Sequence, residues 1–271
     1  MTSTEKISAT AIADTLSALR AQVPLVQCLT NVVVAQWTAN VLLAVGAAPA
    51  MVDNPREAGA FTAAADGVLI NLGTPYEETA AAMHAAVQAA LTHQKPWVLD
   101  PVAAGALAWR TELAHQLLAQ AAPAVIRGNA SEVLALAGGT GGKGVETLHT
   151  PEAAAGTAAA LALQHHTVVA VSGPVDHLTD GTRTVTIANG HHWLTQVTGV
   201  GCALGALMAA FAAVTGDRLL AAASATATLT VAAEQAAGHA SGPGSFAVGL
   251  LDQLAALSPA VLRARVRLDG S

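Results

Sequence analysis

The sequence predicts an α/β fold in which a mostly parallel central sheet is flanked by helices in three layers. Short β-branched runs ending in turn residues alternate with longer alanine- and leucine-rich segments, the order expected of repeated βαβ units. Hydrophobic residues make up 53% of the chain and charged residues 11%, enough apolar material to cover both faces of a sheet. Aromatic residues are only 3%, so Ala, Val and Leu must build that core. With 271 residues and no stretch that reads as a linker, the economical division is a single domain over residues 1–271.

The elements follow in chain order. The opening stretch MTSTEKISATAIADTLSALR carries Asp14 where a secretory leader would need an apolar core, so it reads as an amphipathic surface helix. Strands are expected at LVQCLT (25–30), APAMV (48–52), GVLINLG (67–73), PWVLDPV (96–102), AVIRGN (124–129) and TVVAVSG (167–173). Helices fill the intervals, among them 32–46, 77–93 and 131–138. Asp180-Gly181 separates two β-prone runs within 176–190, which predicts a hairpin at one edge of the sheet. From Cys202 to Leu257 the composition is almost entirely helical.

Several function classes fall away on composition. A net charge of −6 and a pI near 5.9 leave no basic footprint for nucleic acid. The longest apolar run, Cys202 to Val214, is shorter than the roughly 20 residues a membrane span needs, and a cytoplasmic protein is expected. Cys28 and Cys202 lie far apart without Cys-x-x-Cys spacing, so neither a disulfide framework nor a cysteine zinc site is supported. The adjacent pairs His165-His166 and His191-His192 are expected to point their rings apart and to bind no metal. The glycine cluster GGTGGKG (138–144) lacks Ser or Thr after Lys143 and reads as a surface loop, not a phosphate-binding P-loop.

In open α/β sheets ligands sit beyond the carboxyl ends of the strands. One strand delivers Asp100 there, and the next delivers Arg127, Gly128 and Asn129 with Glu132 one turn on. Two acids and a guanidinium on one rim suit Mg²⁺ and a phosphate. The spacing Asn129-x-x-Glu132 equally fits a capping box, and both readings of Glu132 stay open. TGVGC (198–202) opens a long apolar helix, so the N–H groups of Val200, Gly201, Cys202 and Ala203 are expected to lack partners, while Gly199 and Gly201 let an anion approach. The helix start is also expected to lower the Cys202 pKa by ~1 to 2 units. Cys28, within a β-prone run, is expected to be core packing.

Seven blocks in unbroken order from about Pro24 to Leu251 carry a resemblance: 26–52, 70–74 (INLGT), 99–106 (LDPVAAGA), 126–132 (IRGNASE), 171–181, 198–211 and 242–246 (GPGSF). Together they resemble the hydroxyethylthiazole kinase family of the ribokinase-like superfamily. The resemblance implies ATP-dependent phosphorylation of the primary alcohol of 4-methyl-5-(2-hydroxyethyl)thiazole, a Mg²⁺ requirement, and a homotrimer with active sites at subunit interfaces. It implies thiazole contacts at Met51, Gly199, Thr30 and Asn31, and ATP contacts at Arg127, Ser172 and Asn129. Asp100 and Glu132 correspond to the acidic pair near Mg²⁺, and Cys202 to the candidate base. Departures are Gln36-Trp37 for the commoner Asn-Phe, Val200 for a smaller or polar residue, and Gly205 where Ser or Thr is frequent. Rival readings are a hydroxymethylpyrimidine kinase, a cysteine-nucleophile acyltransferase, which would need a histidine beside Cys202, and a thiazole-binding protein without catalysis.

Overall fold

The computed structural model describes residues 6–138 and 151–270. Its first helix, α1 (Ala9–Gln22), begins where the Ser8 hydroxyl accepts the Ala11 N–H and ends at Val23 in the left-handed region, φ 49°. Ile12, Leu16 and Leu19 on its inner face are fully buried while other positions stay exposed, so α1 is the amphipathic surface helix expected.

Five βα units follow. β1 (Leu25–Leu29), β2 (Ala48–Ala50), β3 (Gly67–Asn71), β4 (Trp97–Asp100), β5 (Val125–Asn129) and β6 (Val168–Ser172) all run parallel. Between them lie α2 (Ala35–Val45), α3 (Ala58–Ala64), α4 (Glu77–Thr92), α5 (Ala108–Gln120), α6 (Ala130–Leu136) and α7 (Pro151–His165). The expected hairpin forms as β7 (Asp176–Thr179) and β8 (Thr184–Ile187), joined by a turn in which Asp180 Oδ1 accepts the N–H groups of Thr182 and Arg183. It is not the sheet edge, because β9 (Leu268–Gly270) pairs outside β8. A short three-residue strand near the terminus carries too little periodicity to read from sequence. The sheet order is β2-β1-β3-β4-β5-β6-β7-β8-β9. The final helices are α8 (Val200–Ala212), α9 (Arg218–Ala237), α10 (Pro243–Ala256) and α11 (Pro259–Arg265).

Strand side chains alternate between two cores, which is what makes the layers three. Val26, Cys28, Leu69, Val98 and Val125 face one core with α1, α2, α8, α9 and α10 residues. Leu29, Val68, Ile70, Leu99 and Ile126 face the other, with residues of α4 to α7. Among the described residues no single helix is long and apolar enough to cross a membrane, and α8 is buried along its length. Apart from Gly138, the glycine cluster 138–144 lies outside the described residues.

Candidate active site

The carboxyl ends of β1, β3, β4, β5 and β6 form one rim, and the start of α8 is laid against it. Asn31 follows β1, Asn71 ends β3, Asp100 ends β4, Arg127 lies in β5 and Ser172 ends β6. A chain of hydrogen bonds joins the first three to the cysteine. Asn31 Nδ2 donates to Cys202 Sγ at 3.5 Å and to Asn71 Oδ1 at 2.9 Å. Asn71 Nδ2 donates to Asp100 Oδ2 at 2.7 Å, and its Oδ1 also accepts the Gly73 N–H. Asn71 and Asp100 sit opposite one another in the β3–β4 register, and each is 1% exposed.

Asp100 is the electrostatic centre of this rim. Its carboxyl is pushed up to about 7, chiefly by burial; Arg127 and the Asn71 bond pull it down and Glu132 pushes it further up. Arg127 Nη1 stands 3.7 Å from Asp100 Oδ2, and Nη2 donates to Ser172 Oγ at 3.0 Å. Asp100 Oδ1 and Arg127 Nε are both buried without a protein partner. A buried, unpartnered carboxylate oxygen beside a guanidinium fits a divalent cation and a phosphate.

Glu132 resolves differently. Its Oε2 accepts the Asn129 N–H and its Oε1 the Ala103 N–H, while Asn129 Oδ1 accepts the Glu132 N–H. The capping box is therefore present, and it pins the loop after β4 to the start of α6. Asn129 spends its side chain on that cap and on Ser131. Among the described residues no group of three or more His, Cys, Asp or Glu is placed to hold a metal.

The α8 start departs from expectation in one donor. Ala203 N–H bonds Gly199 O at 2.9 Å, so it is spent on the first helical turn. Gly199, the N-cap, has φ 89° and no capping side chain, which leaves Val200, Gly201 and Cys202 as the unpaired helical donors. A Cβ on Gly199 would lie 2.5 Å from Val34 Cγ1 and 3.2 Å from Trp37 Cδ1; one on Gly201 would lie 2.8 Å from Arg127 Nη1. Arg127 thus rests on the bare backbone of the helix start. Gly205, one turn on, brings α8 against Leu69 and Asp100.

Cys202 is half-buried, and its thiol is raised, not lowered as the helix start alone suggests. Burial is the main cause and the Asp100 charge adds to it; hydrogen bonding by Asn71 and Asn31 and the charge of Arg127 oppose. No imidazole is among these neighbours, so the acyl-transfer reading lacks its base. Cys28 is core, as expected, with its thiol pushed up to about 12 by burial.

Thr30 Oγ1 is buried and unpartnered beside Asn31. Met51 follows β2 at the same end of the sheet, one strand outside β1, and is 38% exposed. Val32 and Val33, next to Asn31, are 73% and 66% exposed. Sequence reasoning assigned no role to Asn71, although a polar residue closing a buried strand level with Asp100 was the signal. Asp176, a second buried carboxyl near Arg127, was missed as well. His191 and His192 do not point apart: their ring centroids are 4.2 Å apart, because they occupy the turn into the 3-10 helix His192–Thr195 and not a strand. A cavity of about 600 Å³ opens at the opposite end of the strands, lined in part by His166, Asp180, Arg183 and Asp217. Both acids there already hold Arg183.

Comparison with known proteins identifies the family. The profile of the hydroxyethylthiazole kinase family matches residues 16–260. A hydroxyethylthiazole kinase of Cutibacterium acnes is 56% identical over 249 residues, 92% of this chain and 90% of that protein. That of Clavibacter sepedonicus is 57% identical over 258 residues, 95% and 94% of the two chains. The solved hydroxyethylthiazole kinase of Pyrococcus horikoshii superposes with a TM-score of 0.89 at 40% identity, covering 96% of this chain and 98% of that one. A pyridoxal kinase from Staphylococcus aureus, at 16% identity and TM-score 0.55, shares the fold.

Proposed function

The chain belongs to the hydroxyethylthiazole kinase family of phosphotransferases, and from that premise we propose that it moves the γ-phosphoryl group of ATP onto the primary alcohol of 4-methyl-5-(2-hydroxyethyl)thiazole. The observation that carries the reading is the hydrogen-bonded chain Cys202–Asn31–Asn71–Asp100, with Arg127 and Ser172 completing it across adjacent strand ends.

Each residue takes a task that its position supports. Arg127 and Ser172 face the nucleotide phosphates, with Asn129 at the neighbouring strand end. Met51, Thr30, Asn31 and Gly199 line the alcohol's side. Asp100, through its unpartnered oxygen, would hold Mg²⁺, with Glu132 beside it as the second acid while also bracing the Asn129 and Ala103 N–H groups. When bound, that ion would neutralise charge on the β- and γ-phosphates. The free N–H groups of Val200, Gly201 and Cys202 face the charge that develops on the migrating phosphoryl oxygens. As the alcohol oxygen bonds to phosphorus and the bond to ADP breaks, the hydroxyl proton passes to Cys202 Sγ.

A raised thiol makes Cys202 a sparse base, since only its thiolate fraction accepts a proton. The loose transition state needs little prior deprotonation, so positioning and charge stabilisation carry most of the barrier. The amide N–H groups of Asn31 and Asn71 favour the thiolate. We further read residues 1–271 as one cytoplasmic kinase domain that works as a homotrimer. The exposed apolar residues Val32, Val33 and Met51 beside the alcohol's side of the rim support subunit contact there.

Incubation with MgATP and each of two alcohols, followed by mass spectrometry, tests the reading. Phosphorylated hydroxyethylthiazole is expected, with no phosphorylated hydroxymethylpyrimidine. The reverse pattern would move the chain to the pyrimidine reaction, and ATP-independent thiazole binding without product would make it a binder.

A further inference from the structure

We infer that Asp176 is a positioning residue for the nucleotide half of the site: its carboxylate fixes the turn behind Ser172 and so holds the Arg127 guanidinium on the phosphate side of the rim. The inference rests on the reading of Arg127 and Ser172 as nucleotide contacts, and it deepens that reading by naming what orients them.

β6 ends at Ser172 and β7 begins at Asp176, so only Gly173, Pro174 and Val175 lie between two antiparallel strands. Pro174 has no N–H to brace so tight a corner. Asp176 does it instead: 7% exposed, it accepts the Gly173 N–H on Oδ1 at 3.0 Å. The residue before Gly173 is Ser172, whose hydroxyl accepts from Arg127 Nη2 and whose register partner on β5 is Asn129. The corner therefore sets where the serine hydroxyl stands, and the hydroxyl sets one edge of the guanidinium.

Charge works in the same direction. Burial pushes the Asp176 carboxyl up to about 6, against the Gly173 bond and the field of Arg127, so acid and guanidinium sense one another. Arg127 stands 3.7 Å from Asp100 with Gly201 beneath it, and its charge is felt by Asp176 as well. Removing the Asp176 charge leaves Asp100 as the stronger attractor. Without the corner bond and that charge the Ser172 hydroxyl no longer holds the guanidinium in place, at the cost of a phosphate contact.

Isothermal titration of the full-length protein with MgATP and, separately, with hydroxyethylthiazole tests this, beside KM for each substrate. Asp176→Ala, which loses both charge and acceptor, is expected to weaken MgATP binding about tenfold while alcohol binding stays within about twofold. Asp176→Asn keeps an acceptor oxygen for Gly173 and is expected to recover part of that loss. Unchanged MgATP affinity in Asp176→Ala would overturn the inference. Equal losses for both ligands would also overturn it, since that is what a purely structural role gives. If Asp176→Ala does not fold, Asp176→Ser is measured with the same two outcomes. A wild type that binds MgATP but leaves the alcohol unphosphorylated would sink the proposed reaction and not this inference; one that binds no MgATP would sink both.

Discussion

At Cys202 two influences compete, and burial wins. A helix N-terminus favours a thiolate by up to roughly 2 kcal/mol, yet half-buried sulfur beside Asp100 keeps its proton more firmly than a free cysteine does. Cys202→Asp replaces a sparse thiolate with an intrinsically stronger acid, whose ionised fraction at the same place is larger, so steady-state assays should find it active and at least as fast as the wild type. Cys202→Ala should lose most turnover, and equal rates for alanine and wild type would remove the base role. Because the wild-type thiol titrates above its ordinary value, kcat should climb with pH through 9, whereas the Cys202→Asp profile should stay flat over that range. Sequence reasoning found Cys202, Asp100 and Arg127 because strand ends and a glycine-flanked helix start mark them. It could not see that burial reverses the thiol's shift, which depends on what packs over residue 202. Nor could it see Asn71 at work, since the partners of its carboxamide, Asn31 and Asp100, come from two other strands.

At the level of elements, the start of α8 and the start of α6 do different work. Gly199 holds φ 89° against Val34, so Gly199→Ala forces both an unfavourable backbone and a side-chain collision. A drop in kcat/KM of more than about tenfold is expected from steady-state assay, the equivalent of ~1.4 kcal/mol. The α6 start is a structural clamp: Glu132 ties its own cap and the Ala103 N–H of the β4 loop together. Glu132→Ala should therefore destabilise the fold by about 1–3 kcal/mol, and a thermal scan should show Tm lowered by several degrees. The capping box was legible as Asn-x-x-Glu, but the second bond, from the Ala103 N–H, depends on the fold and not on spacing. The six parallel strands were legible because each falls in a short, mostly apolar run with turn residues behind it. β9 was not, because three residues carry no period.

For the whole molecule, buried carboxyls set how stability changes with acidity. Asp100 and Asp176 sit at about 7 and about 6, above their unfolded value near 3.9, so the native state holds protons that the unfolded chain has already released. Their stabilising contribution is complete below about pH 4 and is lost as pH rises through 6 to 7. Thermal unfolding of the ligand-free protein should accordingly show Tm falling between pH 5 and 7.5, with a shallower fall in Asp176→Asn. Asp180 has the opposite sign: despite its burial, bonds from Arg183 and Thr182 hold it down to about 2, so its contribution is lost only in stronger acid. Assembly belongs to this scale too. Light scattering should give three times the 27.0 kDa chain mass, and Val33→Asp, placing a charge in the exposed apolar patch beside Asn31, should shift it to monomer. The proposed reaction turns on where the migrating phosphoryl group sits. A crystal structure with a non-hydrolysable ATP analogue and the thiazole alcohol should place terminal phosphate oxygens about 3 Å from the N–H groups of Gly201 and Cys202, with the alcohol oxygen within reach of Sγ. A terminal phosphorus bound away from the α8 start would contradict it.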